Sequence, residues 1–139
     1  MFQGISASEF RRRFETDHDC RHFLHQSKWG TGYKCRRCGH GQFWKGRTAL
    51  HARCKNCDYD ESVTAYTIFH KSHMRLVKAF AITYQLTRVE EVSALQLAGL
   101  FRINFQSALL MKKKVIGVYE LASGRKICGP KIRPLKIVV

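Results

Sequence analysis

The sequence predicts an α+β fold, with helices towards both ends of the chain and a small β region between them. Apolar residues recur at the 3.6-residue spacing of a helix before residue 34 and again after residue 72. Between these points the helical period is lost, and glycines, cysteines and short aromatic or β-branched runs replace it. These changes divide the 139 residues into segments 1–33, 34–71, 72–119 and 120–139.

The composition is that of a folded protein with a large excess of positive charge. Lys and Arg number 25 against 10 Asp and Glu, which gives a formal net charge of +15, while 45% of the residues are hydrophobic. The excess is concentrated in residues 34–71, with eight basic and three acidic side chains, and in residues 111–139, with eight and one. A folded and strongly basic chain indicates a polyanionic partner.

Neither a membrane segment nor a secretory signal is visible in the sequence. The longest apolar stretches, such as residues 79–82 and 115–118, fall far short of the roughly 18 residues needed to cross a bilayer. Residues 1–14 contain three consecutive arginines and no apolar core of a signal peptide. We therefore expect no membrane partner and a cytoplasmic location, where paired cysteines are more often metal ligands than disulfides.

Residues 1–33 predict two short helices with a packing role. Ser6 has the capping-box spacing to Glu9, and Thr16 precedes acidic residues of the kind that a helix dipole favours in the first turn. Each cap is followed by an apolar face, formed by Phe10 and Phe14 and then by Cys20, Phe23 and Leu24. With five basic and four acidic residues, this segment is almost neutral.

Residues 34–71 predict a small antiparallel β region. Residues 43–44 and 49–53 are expected to form hairpin strands joined through Gly46, and residues 62–64 a third strand. The glycines and polar residues between these runs suit turns.

Two cysteine pairs in this region have the spacing of a zinc site. Cys35 and Cys38 are separated by two residues, as are Cys54 and Cys57, and fifteen residues separate the pairs. A two-residue spacer allows one turn to direct both thiolates of a pair towards the same ion, and two pairs complete a tetrahedral shell. We therefore predict a four-cysteine β zinc ribbon that holds one structural Zn²⁺ and leaves no open position for a substrate.

Two alternatives to zinc apply to these cysteines. The first is a pair of redox motifs, although a thioredoxin-like motif needs only one cysteine pair, in a βαβ context. Iron in the same four-sulfur site is the second alternative, because geometry rather than sequence selects the metal. The remaining cysteines lie apart from both pairs, Cys20 on a helical apolar face and Cys128 near the C-terminus.

Residues 72–119 predict three helices. Apolar spacing favours one long helix over residues 72–86, a short helix after Ser93, a break at residues 102–104, and a last helix from Phe105 to about residue 119. Asn104 is the expected N-cap of the last helix. The short helix, the break and the last helix fit a helix-turn-helix supported by the long helix.

The last helix is expected to carry a DNA-binding face. Gln106 and Ser107 would approach base edges, while Arg102, Lys112, Lys113 and Lys114 would hold phosphates. Arg36, Arg37, Arg53 and Lys55 would hold phosphates around the cysteine pairs. The alternative is a plain three-helix packing unit whose lysines are simply solvated. Residues 120–139, which contain Gly129, Pro130 and Pro134, are predicted to be a loose basic tail.

The order of these motifs resembles the start of insertion-sequence transposases that open with a zinc-ribbon domain, the ISXO-like group of DDE transposases. The similar runs are FET at residues 14–16, Cys20, WG at 29–30, GYKCRRCG at 32–39, and Cys54 to Cys57 followed by SVTAYTIFHK at 62–71. VSALQLA at residues 92–98 and QSA at 106–108 resemble the helical part of that family. The resemblance covers about residues 1–119.

The resemblance implies a DNA-binding front end of a strand-transfer enzyme, with double-stranded DNA of a transposon end as its partner and the bacterial nucleoid as its location. Catalysis in that family requires at least three carboxylates that hold two metal ions. This sequence has no Asp after Asp60, and Glu120 is its only acidic residue after Glu91. We therefore expect a truncated transposase with neither catalytic activity nor a small-molecule substrate.

Two other functional classes are alternatives to a DNA-binding part of a transposase. A protein-interaction or assembly module would use the ribbon and helices to form a homo-oligomer and would not depend on the charge. An active nuclease or transposase is disfavoured because the acidic residues are missing.

Overall fold

The computed structural model describes Phe2 and residues 4–88 and 91–122, and it has an α+β fold. Five helices are α1 (Ala7–Arg13), α2 (Asp17–Trp29), α3 (Leu76–Arg88), α4 (Ala94–Phe101) and α5 (Phe105–Ala122). Three strands, β1 (Phe43–Lys45), β2 (Ala52–Cys54) and β3 (Asp60–Glu61), form one antiparallel sheet in the order β1-β2-β3. Residues 123–139, which include Cys128 and most of the predicted tail, lie outside the described residues.

The predicted caps of the N-terminal helices are confirmed. The hydroxyl of Ser6 accepts a hydrogen bond from the Glu9 N–H at 3.2 Å, at the start of α1. At the start of α2, the Thr16 hydroxyl accepts from the Asp19 N–H, and the Asp19 carboxylate accepts from the Thr16 N–H at 2.8 Å. Both caps act within four residues of chain, which explains why the sequence reveals them.

The third strand was predicted in the wrong place. It consists of Asp60–Glu61, and residues 62–64 are not a strand. Both the hydroxyl and the carbonyl of Ser62 accept from the Ala65 N–H, at 3.1 and 3.2 Å, so the chain turns at this point instead of extending the ladder. The second strand is also shorter than predicted, because residues 48–51 form a turn closed by the His51 N–H and the Thr48 carbonyl.

Helix α3 begins four residues later than predicted, at Leu76 instead of residue 72. The reason is a cap from a distant part of the chain. Asp17, in the first turn of α2, accepts a hydrogen bond from the Val77 N–H through Oδ1 at 2.9 Å. The first N–H groups of a helix have no acceptor within the helix. By accepting from one of them, the Asp17 carboxylate stabilises a helix that starts at Leu76.

An aromatic cluster joins the N-terminal helices to α3. The ring of Phe2 lies 5.1 Å from Phe10 and 5.5 Å from Phe80, measured between centroids, and Phe10 stacks on Tyr84 at 4.3 Å. The Tyr84 hydroxyl donates to the carbonyl of Ile5 at 2.8 Å. The same buried cluster continues to Ala52 in the sheet and to Val115 in α5, so one core connects the ribbon with both helical regions.

Helices α3, α4 and α5 contact one another, and a three-residue turn separates α4 from α5. Arg102 ends α4 in the left-handed conformation, with φ of 49°. Asn104 caps α5, because its Oδ1 accepts from the Ser107 N–H at 2.7 Å, as predicted. None of the helices in the described part of the chain is long and apolar enough to cross a membrane.

Candidate metal centre and nucleic-acid interface

Four cysteine thiols lie together at one end of the sheet, as predicted. The Sγ atoms of Cys35, Cys38, Cys54 and Cys57 all lie within 4.8 Å of one another. The closest approaches join the two pairs, at 3.6 Å from Cys35 to Cys57 and 3.5 Å from Cys38 to Cys54. Four sulfurs at about 2.3 Å from a central zinc would be about 3.8 Å apart. The cluster therefore has dimensions that could hold a metal ion.

The two cysteine pairs have the same hydrogen-bonded turn. In the first, the Arg37 N–H donates to Cys35 Sγ at 3.4 Å, and the Gly39 N–H donates to the Cys35 carbonyl at 2.9 Å. In the second, the Asn56 N–H donates to Cys54 Sγ at 3.4 Å, and the Asp58 N–H donates to the Cys54 carbonyl at 3.1 Å. N–H groups directed at sulfur favour the thiolate, which is the form that binds metals.

The residue after each pair adopts a left-handed conformation. Gly39 has φ of +77° and Asp58 has φ of +58°. A glycine adopts this conformation without steric cost, whereas an aspartate does so at some expense. Gly39 therefore suits the first turn, whereas the equivalent turn at Asp58 stores strain.

The pKa values of Cys35 and Cys57 are shifted in opposite directions. Burial opposes ionisation of Cys35, but N–H donors from Cys38 and Arg37 outweigh it and lower the pKa of this thiol to about 6. The Tyr59 N–H favours the thiolate of Cys57, yet burial and the neighbouring thiols raise its pKa to about 12. The hydrogen bond between these two sulfurs favours the charged form of Cys35 and the neutral form of Cys57, so negative charge is concentrated on the Cys35 sulfur. A bound dication would neutralise that charge.

Tyr33 provides a second test of whether this site fits a metal. Its hydroxyl is buried and has no hydrogen-bond partner among the described residues. Burial, and next the thiol of Cys35, raise the pKa of Tyr33. An unpaired buried hydroxyl costs about 1–3 kcal/mol. Because a metal-bound thiolate is a permanent hydrogen-bond acceptor, the surroundings of Tyr33 fit a cluster that binds an ion.

The four basic residues predicted around the cysteines each have a neighbour within the protein. Arg36 donates to the buried carboxylate of Glu61, and Arg53 pairs with the exposed Asp58 at 3.3 Å. Three cations also lie over aromatic rings: Arg36 over Tyr66 at 4.3 Å, Arg37 over Tyr59 at 5.0 Å, and Lys55 over Trp44 at 4.3 Å. The aromatic partners are binding-surface candidates that the sequence analysis missed, although their alternation with basic residues was visible.

The predicted residues of the helical region differ in how accessible they are. Arg102, Gln106 and Lys113 are exposed on the α4–α5 turn and on α5. Ser107, Lys112 and Lys114 are half-buried. Lys114 donates from Nζ to the His70 carbonyl at 3.0 Å, and with Ser107 it lines a cleft of about 80 Å³ against residues 71–74. The most accessible part of the predicted DNA-binding face is therefore the start of α5 and Lys113.

Large apolar side chains are also exposed on α4 and α5. Leu95 is 71% exposed, Leu100 66%, Leu110 55% and Ile116 40%. A contiguous patch of exposed apolar side chains is typical of a surface that contacts another protein, and these residues supply the apolar side chains for one on α4 and α5.

Comparison with protein-family models, with curated proteins and with solved structures found no match to this chain. A functional conclusion therefore depends on the chemistry of the residues described above.

Proposed function

We propose that the chain is the DNA-binding front end of an insertion-sequence transposase, in which a zinc-held ribbon and helices α3 to α5 bind duplex DNA. The observation that carries the proposal is the start of α5. A capped three-residue turn presents Gln106 there as an exposed amide, with Arg102 before it and Lys113 two turns later. An amide flanked by cations can bind a base edge while the cations bind phosphates.

The proposed metal is one zinc ion held by Cys35, Cys38, Cys54 and Cys57. An all-cysteine donor set favours zinc over hard cations such as magnesium, and iron is the competing ion for the same set. Zinc bound by four protein ligands supplies folding energy and leaves no position for a substrate. Metal analysis of the purified protein distinguishes the two ions: one equivalent of zinc supports the proposal, and one equivalent of iron overturns this part of it.

The assignment to a transposase is supported by the order of motifs along the chain. The buried positions of Cys20, Ile68 and Phe69 support the view that the resembling segments are parts of one folded unit. The formal charge of +15 supports a nucleic-acid partner within the cytosol and nucleoid.

Titration of a mixed-sequence DNA duplex tests the proposal. If about six phosphates are neutralised, affinity falls by about 10³-fold between 50 and 200 mM salt. Gln106→Ala and Lys113→Ala should both weaken binding, and the lysine variant should also reduce the salt dependence. Arg12→Ala, a change of an exposed arginine on α1, is the matched control. Absence of duplex binding at low salt, or affinity independent of salt, would overturn the proposal.

A protein-assembly module is the second candidate, favoured by the exposed leucines on α4 and α5. It predicts a stable oligomer in the absence of DNA. Light scattering should then show that Leu95→Lys with Leu100→Lys produces monomers, while Lys113→Glu leaves the assembly intact. A monomeric parent protein would exclude this candidate.

A further inference from the structure

We propose that the outer face of the ribbon sheet, formed by Trp44, Arg53 and Lys55, is a separate binding site for single-stranded DNA. In this site an unpaired base stacks on the Trp44 ring, and Arg53 and Lys55 hold the adjoining phosphates. The inference goes beyond the proposed function, which concerns duplex DNA and the start of α5.

The strand register places these side chains on one face. Trp44 in β1 pairs directly with Arg53 in β2. Side chains opposite each other in an antiparallel pair lie on the same side of the sheet. The neighbouring residues of β2, Ala52 and Cys54, are buried on the other side, as alternation along a strand requires.

Trp44 is not needed for packing of the core. Its side chain is 55% exposed, whereas its neighbour Phe43 points inwards and contacts Tyr33 at 4.7 Å between ring centroids. The Nζ of Lys55 lies 4.3 Å from the Trp44 centroid. A cation above a ring covers one face of it, and the exposed fraction indicates that the ring still has surface available for a base.

The other ribbon aromatics are less available for stacking. Tyr66 is already stacked on His70, with ring planes 6° apart, and carries the guanidinium of Arg36. Its hydroxyl lies 3.1 Å from that of Tyr59, whose ring carries Arg37. Both tyrosine rings therefore already contact side chains of the protein, which leaves Trp44 as the strongest candidate for base stacking on the described ribbon.

The charge near Trp44 also suits a nucleic-acid strand. On the hairpin, Arg47, Arg53 and Lys55 outnumber the carboxylates of Asp58 and Asp60, which leaves a formal charge of +1, while Lys45, opposite Ala52, lies on the other face. Asp58 is paired with Arg53, and the Asp60 carboxylate accepts from the Arg47 N–H at 3.1 Å. An exposed aromatic ring beside such cations can stack on an unpaired base. In a duplex the bases are stacked on one another and their faces are not accessible to the ring.

Binding of a twelve-nucleotide oligothymidine to the full chain tests the inference. The chain contains two tryptophans, and Trp29 is only 9% exposed, so quenching of fluorescence on binding reports on Trp44. In anisotropy titrations with a labelled oligothymidine, Trp44→Ala should lose about tenfold or more in affinity, and Trp44→Phe should retain most of it. Arg12→Ala, which removes an exposed cation on α1 outside both proposed binding surfaces, is the control and should leave the affinity unchanged.

Metal content and circular dichroism of Trp44→Ala establish that the variant is folded. Equal oligothymidine affinity for the folded variant and the parent, or no quenching of the parent, would overturn the inference. A parallel titration with the mixed-sequence duplex separates the two proposals. Duplex binding without oligothymidine binding removes this inference alone, and Trp44-dependent oligothymidine binding without duplex binding removes the proposed function alone.

Discussion

The ammonium of Lys28 in α2 lies 2.5 Å from Oε1 of Glu61 in β3, and both side chains are almost fully buried. Lys28 also donates to the carbonyls of Ser62 and Ala65, each at 3.0 Å. Glu61 accepts in addition from Arg36, which lies between the first two cysteines. One buried carboxylate therefore connects the N-terminal helices to the candidate metal centre.

Glu61→Gln should strongly destabilise the protein. The substitution preserves shape but leaves the Lys28 ammonium, 11% exposed, without its counter-ion. Breaking a buried ion pair in this way costs about 3–5 kcal/mol, which urea denaturation would measure. The control is Asp58→Asn, which breaks the exposed pair with Arg53 and should change stability by less than about 1 kcal/mol. Equal effects of the two variants would show that burial of the Glu61 pair is unimportant.

Each serine substitution in the cluster, for example Cys54→Ser, should abolish binding of one metal equivalent and lower the melting temperature. Metal-binding energy is also folding energy in a site of this kind. Cys20→Ala is the control, since Cys20 is fully buried in α2 and burial raises the pKa of its thiol to about 12. That variant should bind a full metal equivalent. Metal loss from Cys20→Ala, or retention by Cys54→Ser, would contradict the assigned ligands.

Asp17→Ala should destabilise the fold by about 1 kcal/mol through the start of α3, because the Val77 N–H loses its acceptor. Asp17→Asn keeps an acceptor oxygen and should recover part of this loss. Arg75→Ala is the control, since its Nε is 3.8 Å from Asp17 and its side chain is 79% exposed. Denaturation curves of the three variants measure the change in the free energy of unfolding. Equally small changes for Asp17→Ala and Arg75→Ala would show that Asp17 does not stabilise the start of α3.

The start of α2 should loosen in acid. Hydrogen bonds from the Thr16 hydroxyl, at 2.7 Å, and from its N–H hold the pKa of Asp19 below its ordinary value of 3.8. A carboxylate with a lowered pKa adds stability that is complete above the unfolded-state pKa, near pH 4, and is lost as pH falls through the folded-state value. Amide exchange in the first turn of α2 should accelerate in that range. In Asp19→Asn, the acceleration should be absent.

Asp58→Gly should stabilise the ribbon by about 0.5–1 kcal/mol, because it relieves a left-handed aspartate at φ of +58°. The reciprocal variant, Gly39→Ala, places a Cβ at φ of +77° and should cost about 1 kcal/mol. Chemical denaturation of the metal-loaded protein gives both values. We expect the free energy of unfolding to rise in Asp58→Gly and to fall in Gly39→Ala. A fall in both variants would contradict strain at Asp58.

Local chemistry explains which features were predictable. The caps at Ser6, Thr16 and Asn104 bind N–H groups three residues away, so their spacing is visible in the sequence. The same applies to the cysteine pairs, whose short spacers direct two sulfurs to one point. The α+β class followed from the loss of helical periodicity between residues 34 and 71.

Features that depend on distant partners were not predictable. The start of α3 depends on Asp17, which is sixty residues from Val77, and the short third strand ends where Ser62 forms its own turn. Likewise, the pairing of Lys28 with Glu61 and the placing of Lys55 over Trp44 depend on which surfaces meet after folding.

The sequence by itself determined the two cysteine pairs, the helix caps and the excess of positive charge, because each follows from residue type and short spacing. Only the tertiary structure decided which cations are engaged and which aromatic rings are exposed. Arg36 and Lys114 are bound to groups of the protein, while Trp44, Gln106 and Lys113 face outwards. The physical reason is that burial and pairing are properties of the packed chain, since residues far apart in sequence supply the partners.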